Sequence, residues 1–531
     1  MITKSAKSAV GLFLLLFLGG TASSVSAAAP KNILLVIADD YGADGSSLYN
    51  SASNGASLPP TPTITALARR GVVFRNAWAC PECSPSRAAI LTGRYPFRTG
   101  IGSVIGMGVP ALSASEFTLP KAFSNNPALG YHLAQFGKWH LGSGASSPNS
   151  PKTLGGWTNY AGSLLGELGT TGETTAYNNW TKTVNGTSTA SYTNYATTDL
   201  VNDAMNWIGA RGTNPWFCWV AFNAPHSPLH VPPSNLAPGY ATNTGVSANR
   251  RQFEAMTESM DTEFARLLTV VDTNNTHIIF LGDNGTINSL LQPPYPGTRG
   301  KSTLYEGGIK VPLVIAGPGV VNPGRTNNTP VHLVDLFATI MELAGMNTAT
   351  TLTSTTNAVD SKSLLPVLQN QPDVARYTFS EYYSPMAGVA ANSGRTIRNS
   401  DYKFITLTNG TRLFFHLAAD PYERTNLLLN PLTPTAQSNC NALEMRLGNY
   451  QSALTPPTLT GFGSTNAQFT VTVQRATNLS YALWRAAALD DLAWSPLTNA
   501  VLVTNGAASV TLTDQNATNG NNFYRVMAAT P

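Results

Sequence analysis

Asn32-Ile33-Leu34-Leu35-Val36-Ile37-Ala38, followed at once by Asp39-Asp40, is an unbroken apolar run that ends in two carboxylates. A strand with one wet face alternates apolar and polar residues. A continuous run of this length predicts a strand buried on both faces. Similar runs recur at Trp216 to Phe222, His277 to Leu281 and Val311 to Ala316. Between them, Phe253, Met256, Met260, Phe264, Leu267, Leu268 and Val271 return at spacings of three and four, predicting one apolar helix face. Leu333, Leu336, Phe337, Ile340 and Leu343 repeat that pattern before Gly345. Strands alternating with helices predict an α/β domain with a large, mostly parallel central sheet and helices on both faces. In such sheets ligands bind beyond the carboxyl ends of the strands, which directs attention to Asp39-Asp40.

Later segments change character. Tyr402 to Ile405 and Leu413 to His416 read as antiparallel strands joined through Asn409-Gly410. After the Thr- and Pro-containing stretch Leu454 to Pro457, short alternating runs appear at Phe469 to Val473, Tyr481 to Trp484, Val501 to Val503, Ser509 to Leu512 and Phe523 to Val526. Strands so spaced predict a small β-sandwich. The expected organisation is a leader over 1–28, a large α/β domain over 29–374, a smaller antiparallel subdomain over 375–454 and the sandwich over 455–531. The sandwich holds no cluster of His or carboxylates and is assigned no chemistry.

The leader is expected from Lys4 and Lys7, the apolar core Val10 to Leu18, and small residues through Ala29 that resemble a signal-peptide cleavage region. Its apolar core is shorter than the ~20 residues a bilayer span needs. The expectation is therefore secretion or export to a periplasm, with no membrane span. Of 531 residues, 42% are hydrophobic and only 11% charged, for a formal net charge of +4. Removing Lys4 and Lys7 would leave +2 (+4 minus 2). No basic run is present, which argues against nucleic acid as a partner. The four cysteines, Cys80, Cys83, Cys218 and Cys440, are too few for a disulfide scaffold. The lone C-x-x-C of Cys80 and Cys83 lacks the second pair a zinc site needs.

Two of the predicted strands end in hard oxygen donors: Asp39-Asp40, and Asp283-Asn284 after His277 to Leu281. Adjacent carboxylates repel unless cations or donors separate them, and an Asp-Asp with Asp-Asn supplies the oxygens that calcium and magnesium select. Taken singly, an Asp-Asp after a strand also fits a turn or cap, and Asn284-Gly285-Thr286 also fits a glycosylation sequon. Cys83-Ser84-Pro85-Ser86-Arg87-Ala88-Ala89 reads as a helix start with Pro in the first turn. A residue just ahead of that start would sit at the positive end of the helix dipole, suited to an anion.

Cys83-Ser84-Pro85-Ser86-Arg87 with Leu91-Thr92-Gly93-Arg94 resembles the signature of the sulfatase family, formylglycine-dependent, arylsulfatase-like enzymes of the alkaline phosphatase superfamily. Ala38-Asp39-Asp40, Gly137-Lys138-Trp139-His140-Leu141-Gly142, Ala224-Pro225-His226-Ser227-Pro228, Asp283-Asn284-Gly285 and Arg299-Gly300-Lys301 with Glu306-Gly307-Gly308 match further motifs of that family in order. Here Lys301 follows Gly300 directly, without the intervening residue of the family pattern.

The resemblance implies that Cys83 is oxidised to formylglycine by a maturation enzyme. It also implies that Asp39, Asp40, Asp283 and Asn284, with the modified Cys83, hold calcium (or magnesium). Arg87, Lys138 and Lys301 would stabilise charge on the sulfuryl group. His226, with Lys301, would serve the leaving oxygen, and His140 would take a proton from the hydrated aldehyde. In a strand, Lys138 and His140 would share one face. His132, His230, His277, His332 and His416 are read as structural.

The expected activity is hydrolysis of sulfate monoesters, with a sulfated polysaccharide or oligosaccharide as substrate and aryl sulfates as surrogates. The alternatives are a phosphonate or phosphate ester hydrolase of the same superfamily and a non-catalytic sulfated-glycan-binding protein. Specificity is expected in loops 100–118, 143–195 and 286–298, where Trp157, Tyr160, Trp180 and Tyr192 are candidates to stack on sugars.

Overall fold

In the computed structural model the NILLVIA run is a strand, β1 (Asn32–Ala38), in which Ile33 to Ala38 are fully buried. Successive side chains of a strand point to opposite faces. Accordingly Ile33, Leu35 and Ile37 join one apolar core with Phe217, Trp219 and Phe337, while Leu34, Val36 and Ala38 join a second with Phe253, Met256, Met260 and Phe264. A strand that feeds two cores cannot alternate with polar residues, which explains the continuous run. The structure describes residues 31–529 apart from 106–110, 143–146, 170–172, 354, 356, 373–375, 384–391, 453–458, 466–467, 475–479, 487–494, 498–499, 506–508, 516 and 518–522. The predicted leader lies outside the described residues.

The central sheet contains ten strands. After β1 they are β2 (Gly71–Phe74), β3 (His132–Gly137), β4 (Asn159–Gly162), β5 (Trp180–Val184), β6 (Thr187–Tyr192), β7 (Trp216–Ala221), β8 (Thr276–Gly282), β9 (Leu313–Ala316) and β10 (Arg325–Asn327). Their order is β10-β2-β9-β8-β1-β7-β3-β4-β5-β6. The centre, β8-β1-β7-β3-β4, is parallel; β9 runs antiparallel to β8 and β2, and β5 and β6 form an antiparallel hairpin. The ends of β1, β3, β7 and β8 therefore deliver the segments after them to one edge. The periodic segment at 253–271 forms the helix Ala248–Leu268, capped by Ser247, with Val271 buried just beyond it. The 333–343 pattern forms a short 3-10 turn continued by the helix Leu336–Leu343.

Thr378–Tyr382, Gly394–Arg398, Tyr402–Leu407 and Arg412–His416 form a separate four-stranded antiparallel sheet. The helix Pro434–Ser452, which sequence patterning did not single out, covers it through Ala436, Cys440, Leu443 and Leu447. Beyond it, a four-stranded and a three-stranded sheet share the buried residues Val471, Val473, Leu483, Val510 and Leu512, the predicted sandwich arrangement. All four cysteines are free and buried. Among the described residues no helix is long and apolar enough to cross a membrane.

A buried ionic cluster ties the small antiparallel sheet to the short helix Glu306–Ile309 that precedes β9. Glu306 accepts from Trp78 Nε1 at 2.9 Å and from Lys403 Nζ at 3.2 Å, and lies 3.6 Å from Arg398. Lys403 also reaches Glu423 at 2.7 Å. Burial alone would raise the Glu306 pKa, but Lys403 and Arg398 outweigh it and hold the carboxyl below its usual range. Removing one member of such a cluster leaves its partners charged and dry. Glu306→Ala is therefore expected to destabilise the protein by roughly 3–5 kcal/mol, read as a fall in the urea midpoint. A shift below about 1 kcal/mol would mean the surface-like behaviour of an exposed pair.

Candidate active site

At the sheet edge the helix Cys83–Thr92 begins with Cys83 itself, in its first turn rather than ahead of it, after the extended Glu82. Every residue of this helix is buried. The polar residues of its first turn anchor it. Ser84 Oγ donates to the His140 carbonyl at 3.0 Å and accepts from the Ile105 N–H at 3.1 Å, and Ser86 Oγ bonds both backbone groups of Cys80. Pro85, which lacks an N–H, sits where helix donors have no helical partner.

Arg87, one turn further, donates through Nε and Nη2 to Asp283 Oδ2 at 3.0 and 2.8 Å, and through Nη1 to the Lys138 carbonyl at 3.0 Å. Its Nη2 lies 3.7 Å from Asp39. Lys138 Nζ pairs with Asp39, and Lys301 Nζ donates to Asp40 Oδ1 at 2.5 Å. Asn284 Nδ2 donates to the same oxygen at 2.7 Å, and the Asp40 N–H donates to Asp283 Oδ1 at 3.1 Å. His226 Nε2 is 3.7 Å from Asp40 Oδ2. His140 Nδ1 is 3.1 Å from Cys83 Sγ. The structure thus brings all ten sequence-predicted site residues into one constellation, Lys301 included despite its shortened spacing.

Lys138 and His140 do not reach the site from a strand. β3 ends at Gly137, whose φ is +92 and whose hydrogen, replaced by a Cβ, would lie 1.9 Å from the Ala221 carbonyl oxygen. The chain then turns, and His140 adopts φ +54, as Asp40 adopts +61. Such left-handed positions cost a non-glycine residue roughly 1–3 kcal/mol. Here the surrounding bonds hold them, with Trp139 buried in the core between the two site residues.

Burial sets the protonation of these groups. It pushes the Cys83 thiol up to about 12, against the opposing pull of Lys138 and Lys301, so an unmodified Cys83 is a neutral thiol. Burial, followed by the charge of Lys138, lowers His140 well below its ordinary value. Burial lowers His226 to about 4, although Asp40 pulls the other way. Asp283 is pushed up to about 6 by burial and by Asp39, against Arg87. Burial would also raise Asp40, but Lys301 and then His226 hold it well below the usual carboxylate range.

The donor set fits a hard divalent cation. Asp39, Asp283 and Asn284 are fully buried, and Asp39 Oδ1 and Asn284 Oδ1 have no hydrogen-bond partner. Buried oxygens without partners are costly, and a calcium or magnesium ion would satisfy both. Asp39, Asp40 and His226 also offer ligand atoms within 4.8 Å of one another, so His226 stands beside the acidic donors. Full burial of Asn284 excludes the glycosylation reading of Asn284-Gly285-Thr286. Thr286 instead donates to Asp44 at 2.7 Å and accepts from the Gly42 N–H.

The site also recruits residues that no motif announced. Glu82 accepts from Ser302 Oγ and lies 3.9 Å from Lys301 Nζ. Tyr177 donates to the His226 carbonyl at 2.8 Å, and the backbone of 163–166 packs on His140. Adjacency to Cys83 was the sole hint for Glu82; the others depend on contacts far apart in sequence. Two aromatics expected to stack on sugars are instead core residues: Trp157 and Tyr160 are buried against Phe217 and Trp219, while Trp180, largely buried against Tyr192, also lines a cavity beside the β5–β6 hairpin.

A family model for sulfatases matches residues 31–346. The chain belongs to the sulfatase family, the sulfuric ester hydrolases. A second model, the C-terminal region of N-sulphoglucosamine sulphohydrolase, matches residues 297–452, which include the small antiparallel sheet and its helix. An ulvan-active sulfatase of Formosa agariphila is 27% identical over 407 residues, covering 72% of this chain and 75% of that protein. Human N-acetylgalactosamine-6-sulfatase is 27% identical over 488 residues, covering 80% and 87%. A solved structure, Ps i-CgsB in complex with k-i-k-neocarrahexaose, has the same fold with a TM-score of 0.66 at 22% identity, over 79% of this chain and 92% of that one.

Gly166 supplies a test of the geometry. A Cβ there would lie 2.4 Å from His140 Cε1, and the ring cannot retreat without leaving Cys83. Misplacing a reacting group by about 1 Å costs on the order of 100-fold in rate. Gly166→Ala is expected to lower kcat by roughly 10- to 100-fold with an unchanged urea midpoint. Wild-type kcat in that variant would show that His140 has no part in turnover.

Proposed function

We propose that this protein is a calcium-dependent sulfatase that hydrolyses sulfate monoesters of an extracellular polysaccharide or oligosaccharide, with formylglycine derived from Cys83 as nucleophile. The observation that carries the reading is the position of Cys83: at the start of a buried helix, 3.1 Å from His140 and in the field of Asp39 and Asp283, in a site where Asp39 Oδ1 and Asn284 Oδ1 have no hydrogen-bond partner. Magnesium is the second choice for the cation. Sulfated carbohydrate as substrate is supported by the relatives, one named for ulvan and one for N-acetylgalactosamine 6-sulfate, and by the carbohydrate bound in a structure of the same fold. Export to the periplasm or beyond is part of the proposal, as is a maturation enzyme acting on Cys83.

When formed and hydrated, formylglycine supplies a geminal diol: one hydroxyl to attack sulfur, and a second whose deprotonation expels sulfate and restores the aldehyde. Asp39, Asp40, Asp283 and Asn284 would hold the divalent cation, which supplies Lewis-acid charge to a sulfate oxygen. The chain's own groups do the rest. Arg87 is fixed by Asp283 and the Lys138 carbonyl, so its guanidinium presents charge beside residue 83 in a set geometry. Lys138 and Lys301 add two further positive charges in a dry site, where they act more strongly than in water.

His140, neutral at physiological pH, can accept a proton at Nδ1 beside residue 83. His226 Nδ1 lies 2.8 Å from the Ser227 carbonyl, which only accepts, so Nδ1 carries the hydrogen and the neutral ring turns an unprotonated Nε2 toward Asp40. At neutral pH Lys301 is therefore the better-stocked proton donor for the leaving oxygen. Asp40 outweighs burial there and keeps the ammonium charged well above its ordinary range.

The test compares matched aryl sulfate and aryl phosphate esters using protein matured in a host with the oxidising enzyme. The expected result is a kcat/KM at least about 100-fold higher for the sulfate, lost on dialysis against a chelator and restored by calcium. His140→Ala is expected to lower kcat by roughly 100- to 10,000-fold. Preferred turnover of the phosphate would instead favour the phosphate or phosphonate esterase reading. Binding of sulfated glycan without turnover would favour the binding-protein reading.

A further inference from the structure

Glu82 immediately precedes Cys83, and Ser302 immediately follows Lys301. Two bonds join these flanking segments. The Ser302 N–H donates to the Pro81 carbonyl at 3.0 Å, and Ser302 Oγ donates to Glu82 Oε1. Residue 83 and the lysine that serves the leaving oxygen are thus each one position from the same latch. The Lys301 N–H is held on the other side by the Thr286 carbonyl at 2.8 Å. Its Nζ stands between Asp40 Oδ1, at 2.5 Å, and Glu82 Oε2, at 3.9 Å.

Stability alone does not account for this arrangement. Glu82 is the N-cap of the Cys83 helix, a position whose side chain commonly accepts from the first helical N–H groups. Its side chain makes no such bond and turns to Ser302 instead. It is buried there, and burial raises its carboxyl against the pull of Lys301. Ser302 adopts φ +66, a left-handed conformation that costs a non-glycine residue roughly 1–3 kcal/mol. Tyr382, from the small antiparallel sheet, closes the corner within reach of Ser103 and Ser302. A buried carboxylate and a strained serine are kept together where the two functional segments touch.

We propose that Glu82 and Ser302 are positioning residues whose latch sets the separation between residue 83 and Lys301 Nζ. The inference rests on the sulfatase reading given above. In that reaction the bond from sulfur to the residue 83 hydroxyl oxygen forms as the bond from sulfur to the ester oxygen breaks. The electron pair leaves with the ester oxygen, which takes a proton from Lys301 Nζ. A weakly basic phenolate departs readily without that proton, and a strongly basic one does not. Loosening the latch should therefore be felt in proportion to the basicity of the leaving oxygen.

The experiment uses the matured, calcium-loaded full chain and a series of aryl sulfates running from 4-nitrophenol to phenol as leaving group. Each kcat/KM is divided by the aldehyde fraction measured at residue 83, so that a change beside Cys83 cannot act through maturation. Ser302→Ala removes the donor of the latch and Glu82→Met its acceptor. In either variant the value for phenyl sulfate is expected to fall roughly 10- to 100-fold further than that for 4-nitrophenyl sulfate. The double variant should be no slower than the slower single one, because the two residues act as a unit.

Ser302→Gly guards against a variant that fails to fold, since glycine adopts φ +66 without strain. It should show the same selective loss. Equal losses across the series would overturn the inference, because the latch would then support the fold and not Lys301. So would wild-type values throughout the series in Ser302→Gly, or fully additive losses in the double variant. Failure of the wild-type protein to hydrolyse any member of the series would defeat the sulfatase reading itself.

Discussion

Three carboxylates and three cations, interlocked at the carboxyl edge of a parallel sheet, are the constraint on which the active site depends. Asp283 fixes Arg87, Asp39 takes Lys138, and Asp40 takes Lys301. None of these groups is easily accessible to water, and an unpaired charge at that depth would cost several kcal/mol. The pairs therefore oblige three strand ends (those of β1, β3 and β8), the Cys83 helix and the segment before Glu306 to meet at one place. The same pairs leave Asp39 Oδ1 and Asn284 Oδ1 without partners. That combination is costly for stability alone and intelligible as a cradle for a hard cation.

Backbone geometry serves the same end. Asp40 and His140 occupy left-handed conformations where their strands stop, turning side chains inward that a continued strand would have sent to a face of the sheet. Strain of this kind persists where neighbouring contacts overdetermine it. Those contacts here are the carbonyls of 163–164, Ser84 and the tight approach of Gly137 to β7. Burial then fixes the chemistry: a neutral imidazole beside a neutral thiol, close to cations that keep their charge.

Much of this was legible in the sequence because the physics is local or strongly patterned. The unbroken NILLVIA run announced a strand with two buried faces, and the helix at 248–268 followed from its apolar spacing. The motif residues Asp39, Asp40, Cys83, Arg87, Lys138, His140, His226, Asp283, Asn284 and Lys301 could be named before any contact between them was known. Other features were not legible because they arise from long-range packing. Lys138 and His140 share the site through a turn set by β7, not through strand alternation. Trp157 and Tyr160 have the composition of a sugar platform but are consumed by the core. The sequon at Asn284 is silenced by burial. Glu82 acquires a role through Ser302 and Lys301, more than 200 positions away, and no pattern along the chain encodes that meeting.

The central claim is that residue 83 works as an aldehyde and not as a thiol. Mass spectrometry of the intact peptide spanning Cys83, from matured protein that hydrolyses aryl sulfate, tests it most directly. The account predicts an aldehyde or its hydrate in place of the thiol, in a fraction of molecules that tracks specific activity. A fully active preparation in which Cys83 remains an unmodified thiol would contradict it.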